Sequence, residues 1–171
     1  MDIEILVKKA KQGDKEALVQ LIMEQKKDFY KLAYLYMKNE EDALDALQDT
    51  IVILYENIHK LKKTDSFYSW SKTILVNCCK KLLKENKKII FLDYIKEELY
   101  EEDFDKKNEQ IILQKHLSNL KEKYQEVIKL HYFLDLDNET IGKIINIPVG
   151  TVKSRIFNGL KKLKESLGGE K

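Results

Sequence analysis

"DNETIGKIINIPVGTVKSRIFNGLKKLK", from Asp137 to Lys164, is the stretch on which the reading of the whole chain turns. Asp137 stands where a helix needs an acceptor for its first unpaired amides. Behind it Ile141, Ile144 and Ile145 form an apolar stripe. Gly142, a weak helix former in the middle of that stripe, implies close packing against a neighbour. Asn146 follows, and Asn tolerates the left-handed conformation that a tight turn demands. Ile147 puts an apolar side chain inside the turn, and Pro148 suits the start of a new helix. In that helix Val152, Ile156, Leu160 and Leu163 recur at helical spacing, with Leu167 just beyond. Lys153, Arg155, Lys161, Lys162 and Lys164 occupy the rest of its surface, and Gly150 to Lys164 contains no acid.

Two helices joined this way read as a helix-turn-helix. On the second helix Ser154, Asn158 and Lys161 fall opposite the apolar side, with Lys153, Phe157 and Lys162 on the flanks. A helix that reads duplex DNA places base-reading groups toward its N-terminal end and surrounds them with cations for the phosphates. Thr151, Lys153, Ser154, Arg155, Phe157, Asn158 and Lys161 are therefore the candidate duplex-binding residues. Phe157 lies off the apolar stripe, where it suits a thymine methyl. A plain surface helix with a solvated basic face would share the charge pattern. It would not require Gly142, Asn146 and Pro148 at these spacings.

Working outward, the rest of the 171 residues is read as helical too. The single Pro and six Gly leave few breaks, and strand signals are sparse. The periodicity predicts a short helix over about Ile3 to Gln12, ending near Gly13. Asp14 caps a second running to about Met37. Asn39 caps a third, with Ala43, Leu44, Leu47, Ile51, Leu54 and Ile58 inward. After the polar break "KLKKTD" at Lys60 to Asp65, a fourth runs from about Ser66 to Lys87. In the C-terminal part helices are expected at about 109–119, 121–134, 138–145 and 149–167. The expected fold is all-α, with two small helical domains, 1–90 and 110–171, joined by an acidic linker at 91–109.

Charge is segregated along this chain although the net charge is only +2. Residues 61–90 hold eight Lys against two acids, whereas 91–110 hold three Lys against eight acids. Such blocks bear on partners rather than on fold. Thirty of the 31 basic residues are Lys; Arg155 is the one Arg. No apolar run is long enough to span a bilayer, and the N-terminus lacks the parts of a signal peptide, so a cytoplasmic protein is expected. The adjacent Cys78 and Cys79 are poorly placed for an unstrained disulfide and make no metal-binding pattern, which leaves them as small residues near a helix core. His59, His116 and His131 are isolated. No nucleophile, metal cage or phosphate loop is evident, so neither enzymatic activity nor a metal or other cofactor is expected.

"NETIGKIINIPVGTVKSRIFNGLKKL", with "LSNLKEKYQEVIKLHYFLDL" before it, resembles region 4 of the bacterial sigma-70 family, in its extracytoplasmic-function group. The family usually has Pro where Lys121 stands, Ala at Gly142 and Gly at Asn146, and often Arg at Asn158. Upstream, "NEEDALDALQDTIVILYENI" is similar to sigma region 2.2, and "DSFYSWSKTILVNCCKKLLKENKK" to regions 2.3 and 2.4. The resemblance implies a non-enzymatic initiation factor that binds core RNA polymerase and opens promoter DNA. It assigns Asp45, Gln48 and Asp49, which share one helical face, to docking on a basic coiled coil of the polymerase. It assigns Lys62, Lys63, Phe67, Trp70, Asn77, Lys80, Lys81 and Lys84 to the −10 element, with Lys72, Lys87 and Lys88 adding charge. The loop Lys60 to Asp65 is where this group captures a flipped promoter base. A purely core role is the alternative for Phe67 and, more so, for Trp70, and Asn77 could read or position the strand or merely cap a polar contact. The C-terminal helix would read the −35 element. The family is often held inactive by a membrane-anchored anti-sigma factor, which makes such a factor an expected partner. Two other classes compete. A stand-alone helix-turn-helix regulator binding duplex DNA as a dimer leaves the region 2 resemblance unexplained. A protein-only adaptor leaves the two basic segments unexplained.

Overall fold

The computed structural model describes residues 2–86 and 104–168. Among these residues there are nine α-helices, two 3-10 turns and no strand. They belong to two compact units, one N-terminal and one C-terminal. Most of the linker expected at 91–109, together with Lys87 and Lys88, lies outside the described residues.

In the N-terminal unit α1 (Ile3–Lys11), α2 (Lys15–Glu24), α3 (Lys26–Met37), α4 (Glu40–Asn57) and α5 (Phe67–Asn86) follow one another closely. Local chemistry sets most of the starts. The carboxylate of Asp2 accepts from the Glu4 amide at 3.1 Å, and that of Asp14 from the Ala17 amide at 3.1 Å. Asn39 accepts from the Asp42 amide at 2.8 Å and returns its own amide to the Asp42 carboxylate at 2.8 Å. Each such cap contributes about 1 kcal/mol. Gly13, at φ +98°, takes the backbone through a conformation that other residues adopt only with strain.

The expected single helix from Asp14 to Met37 is two. Gln25, at φ −118° and ψ 25°, breaks the ladder between α2 and α3 without Gly or Pro. The break lets Leu18 and Leu21 on α2 and Phe29, Leu32 and Ala33 on α3 all be buried. A second difference concerns α4, which packs against α3 and α5. Its buried residues are Ala43, Ala46, Thr50 and Leu54, whereas Leu44 and Ile51, expected inward, are exposed. Small residues on the inner side allow close helix approach, and the Thr50 hydroxyl is satisfied by the Ala46 carbonyl at 2.7 Å. One core cluster joins Leu6, Val7 and Ala10 of α1 to Ala17, Leu18 and Leu21 of α2, and to Leu54, Ile58, Leu61 and Phe67.

In the C-terminal unit α6 (Phe104–Ser118) begins five residues earlier than expected, within the stretch assigned to the linker. α7 (Glu122–Tyr132) starts just after Lys121, whose φ of −59° and ψ of 145° end any continuation from α6; the chain keeps its break there without Pro. Gln125 ties the α6–α7 corner by donating to the carbonyls of Leu120 at 2.7 Å and Ser118 at 3.2 Å. α9 (Val149–Gly168) packs on α7 and α6. Gly159 permits this, because a Cβ there would lie 2.8 Å from Ile128 Cδ1 and 3.1 Å from Tyr124 Cβ. His116 on α6 is buried, its Nδ1 2.6 Å from the Ser166 hydroxyl on α9.

Candidate nucleic-acid interface

Asp137 accepts from the Thr140 amide at 2.7 Å and starts α8 (Asn138–Ile145) at the residue expected. Asn146 ends it in the left-handed region, at φ 56° and ψ 52°. The Ile147 amide then donates to the Gly142 carbonyl at 3.0 Å. A Cβ on Gly142 would meet the Ile147 carbonyl oxygen at 2.8 Å, so a side chain there would force the turn to open. The Pro148 carbonyl accepts from the Thr151 and Val152 amides at 3.0 and 3.1 Å, launching α9. Ile141 and Val152 are fully buried on the two helices. An eight-residue helix and a three-residue turn thus lead into the 20-residue α9 and present its outer side.

On α9 the sequence reading holds for placement. Val152 and Leu163 are buried and Ile156 and Leu160 half-buried. Lys153, Ser154, Phe157, Asn158 and Lys161 are exposed, and Thr151 and Arg155 half-buried. Phe157, at 70% exposure, is the most exposed of the large apolar side chains described. The Ser154 hydroxyl donates to the Thr151 carbonyl at 3.1 Å. Lys153, Arg155 and Lys161 make no ion pair within the described residues, so their charge is available to an anion.

In the N-terminal unit the loop between α4 and α5 is built from its ends inward. Ile58 and Leu61 are buried. Lys11 on α1 donates to the Leu61 carbonyl at 2.5 Å, tying the loop to a helix 50 residues away in sequence. A 3-10 turn over Thr64–Ser66 leads into α5. Lys62, Lys63 and Asp65 are left exposed between these anchors. Along α5, Asn77, Lys80, Lys81 and Lys84 are all exposed and share one side by their spacing. The Lys81–Glu85 contact at 3.9 Å joins two exposed groups and contributes little.

Phe67 is a correction. Expected on the −10 surface, it is 0% exposed and sits in the core, ring to ring with Tyr68 at 5.3 Å. It has no surface on which a base could stack. Trp70 is half-buried and packs against the same core, its ring 6.2 Å from that of Phe67. Lys72 is half-buried.

The outer face of α4 carries Asp45, Gln48 and Asp49, all exposed. Around them stand Leu44, Ile51, Val52 and Tyr55, between 41% and 55% exposed. The sequence reading missed this apolar part. Leu44 and Ile51 stand at helical spacing with Leu54 and Ile58, so in sequence an exposed apolar face looks like a core face.

Cys78 and Cys79 are free and buried. Burial pushes the Cys79 thiol up to about 12, helped by its neighbour Cys78, and burial also raises Cys78. Neither is a reactive thiolate near neutral pH. No cluster of three or more His, Cys, Asp and Glu able to hold a metal occurs among the described residues. No described helix is long and apolar enough to cross a membrane.

Comparison with known proteins adds to this geometry. A model for sigma-70 region 2 matches residues 21–89, and one for sigma-70 region 4 matches residues 110–163. RNA polymerase sigma factor SigV of Bacillus subtilis is 33% identical over 162 residues, which are 95% of this chain and 98% of that protein. The ECF RNA polymerase sigma factor SigW of Bacillus subtilis is 29% identical, over 98% of this chain and 97% of its own. Among solved structures, the sigma factor RpoE in complex with the anti-sigma factor NepR from Bartonella quintana shares the fold. Its TM-score is 0.64 at 21% identity, over 89% of this chain and 97% of that one.

Proposed function

Since the chain belongs to the sigma-70 family of RNA polymerase sigma factors, in its extracytoplasmic-function group, we propose that its three exposed surfaces divide the work of promoter-specific initiation among them. As a sigma factor it is a transcription initiation factor. The finer assignment of residues, partners and place of action follows from what each surface can bind.

The α4 face docks on core RNA polymerase. Asp45 and Asp49 offer two carboxylates to a basic partner, and Leu44, Ile51, Val52 and Tyr55 offer apolar area to bury around them. Charge sets the register and speeds the encounter, while desolvated apolar area supplies more of the affinity. The loop at Lys62 and Lys63, with Asn77, Lys80, Lys81 and Lys84 on α5, holds the separated strand of the −10 element. Its lysines displace counterions from phosphate, which makes binding fall steeply with salt. Extruding a base costs a few kcal/mol, least once the strands have parted. The pinned loop offsets that cost because its backbone is ordered before DNA arrives. Phe67 holds α5 in place from beneath. α9 enters the major groove of the −35 element, with Lys153 and Lys161 on phosphates and the side between them on base edges.

The partners are therefore core RNA polymerase and promoter DNA, and the place of action is the cytoplasm, where both reside. The complex with an anti-sigma factor, seen for the structural relative, supports a similar partner here. The observation that carries the whole reading is the outer side of α9. Its exposed cations and base-reading groups have no acid among them from Gly150 to Lys164, on a helix started by a turn that passes close over Gly142.

The test is run-off transcription with Bacillus subtilis core polymerase on a pool of genomic promoters, with and without this protein. New start sites sharing −10 and −35 sequences are expected, and Asp49→Lys protein should lose at least about ten-fold in core affinity, a cost of about 1.4 kcal/mol. Core binding without any new start, on promoters of the organism that makes the protein, would overturn the promoter-reading assignment. Undiminished binding by Asp49→Lys would overturn the docking assignment alone.

A further inference from the structure

We infer that the exposed pair Phe157 and Asn158 makes the −35 element of this chain an adenine-and-thymine reader, Asn158 holding one adenine and Phe157 covering the methyl of a neighbouring thymine. This rests on the assignment of α9 as the major-groove helix and names the bases that it takes.

Asn158 is exposed on the side of α9 that also carries Ser154 and Lys161. Its carboxamide makes no hydrogen bond within the described residues, so both the donor and the acceptor face outward unspent. Ser154 differs, because its hydroxyl already donates to the Thr151 carbonyl at 3.1 Å. Lys161 offers donors only. Asn158 is therefore the group on this line that can present a donor and an acceptor together in one plane. In the major groove adenine shows the N7 acceptor beside the N6 amino donor, which matches that pair. Guanine shows N7 and O6, two acceptors, and would set O6 against the carboxamide oxygen. Asn158 thus selects adenine and rejects guanine at the same position.

Phe157 supplies the second half. Its ring is 70% exposed among Lys153, Ser154, Asn158 and Lys161, so most of it is open to contact. The thymine 5-methyl is the apolar group that the major groove offers. Lys153 and Lys161, four residues to either side of Phe157, hold the flanking phosphates and bring the ring down to the base edges. Because residues 157 and 158 are adjacent on one helix, the two bases lie within a step of each other.

The experiment uses holoenzyme assembled from the full chain and Bacillus subtilis core polymerase. Bound promoters are selected from a library randomised through the −35 region behind a fixed −10 element. Wild-type protein should enrich adenine at one position with thymine beside it. Asn158→Arg should move that one position from adenine to guanine and leave the others unchanged. Asn158→Ala should lose about five-fold or more in preference there, the low end for one bidentate contact. Replacing the thymine with deoxyuridine removes a single methyl and should weaken wild-type binding about four-fold, while leaving Phe157→Ala binding unaltered. Identical selections by wild type and Asn158→Arg overturn the adenine assignment. An equal deoxyuridine effect in wild type and Phe157→Ala overturns the thymine assignment. Core binding with no −35 preference at all overturns the reading of α9 itself, and this inference with it. Both side chains are exposed, so loss of fold does not confuse these outcomes.

Discussion

Gly142→Ala is the sharpest test of the turn that aims α9. The new Cβ would stand 2.8 Å from the Ile147 carbonyl oxygen and 3.7 Å from Val149 Cγ2. Carbon–oxygen contacts settle at about 3.3 Å or more, so the turn must open by roughly half an ångström. The obstructing atom is backbone, and the amide of the same residue donates to the Gly142 carbonyl at 3.0 Å. Relief therefore stretches that bond and shifts the start of α9. Forcing a methyl into such a site costs about 1–3 kcal/mol. Against it stands the gain in helix propensity, up to about 1 kcal/mol for Gly to Ala. The net expectation is a loss of about 1 kcal/mol. Gly150→Ala is the control, since a Cβ there meets nothing within 4 Å. It keeps the propensity gain and should stabilise by up to about 1 kcal/mol. The two variants should differ by about 2 kcal/mol, or roughly thirty-fold in amide protection where exchange follows local opening. Hydrogen exchange followed by mass spectrometry on α7 and α9 peptides of the full chain reads this without assuming a single unfolding transition. Equal protection in the two variants would refute the close approach at Gly142.

Other substitutions and conditions test the N-terminal unit. Phe67→Ala should cost about 3–5 kcal/mol, the usual penalty for emptying a buried aromatic site, and lower the thermal midpoint of that unit. A variant that melts like wild type and loses only promoter opening would restore Phe67 to the DNA surface. Alkaline stability tests the buried thiol. The Cys79 pKa is raised from 9.0 to about 12 in the folded chain, so folding favours the protonated form. That contribution is complete below pH 9 and is lost as pH climbs from 9 toward 12. Tyr68, raised from 10.0 to about 12 by burial and then by Glu24, acts in the same direction above pH 10. The urea midpoint should therefore be lower at pH 10.5 than at pH 8. A midpoint that stays level, or thiols alkylated at pH 8 before unfolding, would contradict the buried placement.

Much of the molecule was legible from residues close together in sequence. Asp14, Asn39 and Asp137 announce helix starts because a cap needs only a side-chain oxygen within three residues of the amide that it satisfies. Asn146 announces the end of α8 because few residues enter the left-handed region without strain. Such contacts are local, and so the helix-turn-helix and the exposed residues of α9 could be written down before any tertiary structure. The region 2 and region 4 motifs are likewise contiguous, which is why the family was recognisable.

What required the tertiary structure was every choice between two faces that look alike in one dimension. Leu44 and Ile51 satisfy the same helical spacing as core residues. They lie outside because Ala43, Ala46 and Thr50, being small, let α4 approach α3 and α5 on the other side. Phe67 carries an aromatic ring suited to a base or to a core, and the decision lies with Leu6, Val7, Leu18 and Leu61, brought around it from distant stretches. The Gln25 break and the hydrogen bond from Lys11 to Leu61 have no local marker. Periodicity reports that a side chain is apolar and where it points relative to its own helix. Only the packing of several helices, which minimises exposed apolar area for the whole unit at once, decides which apolar face is buried and which stays exposed.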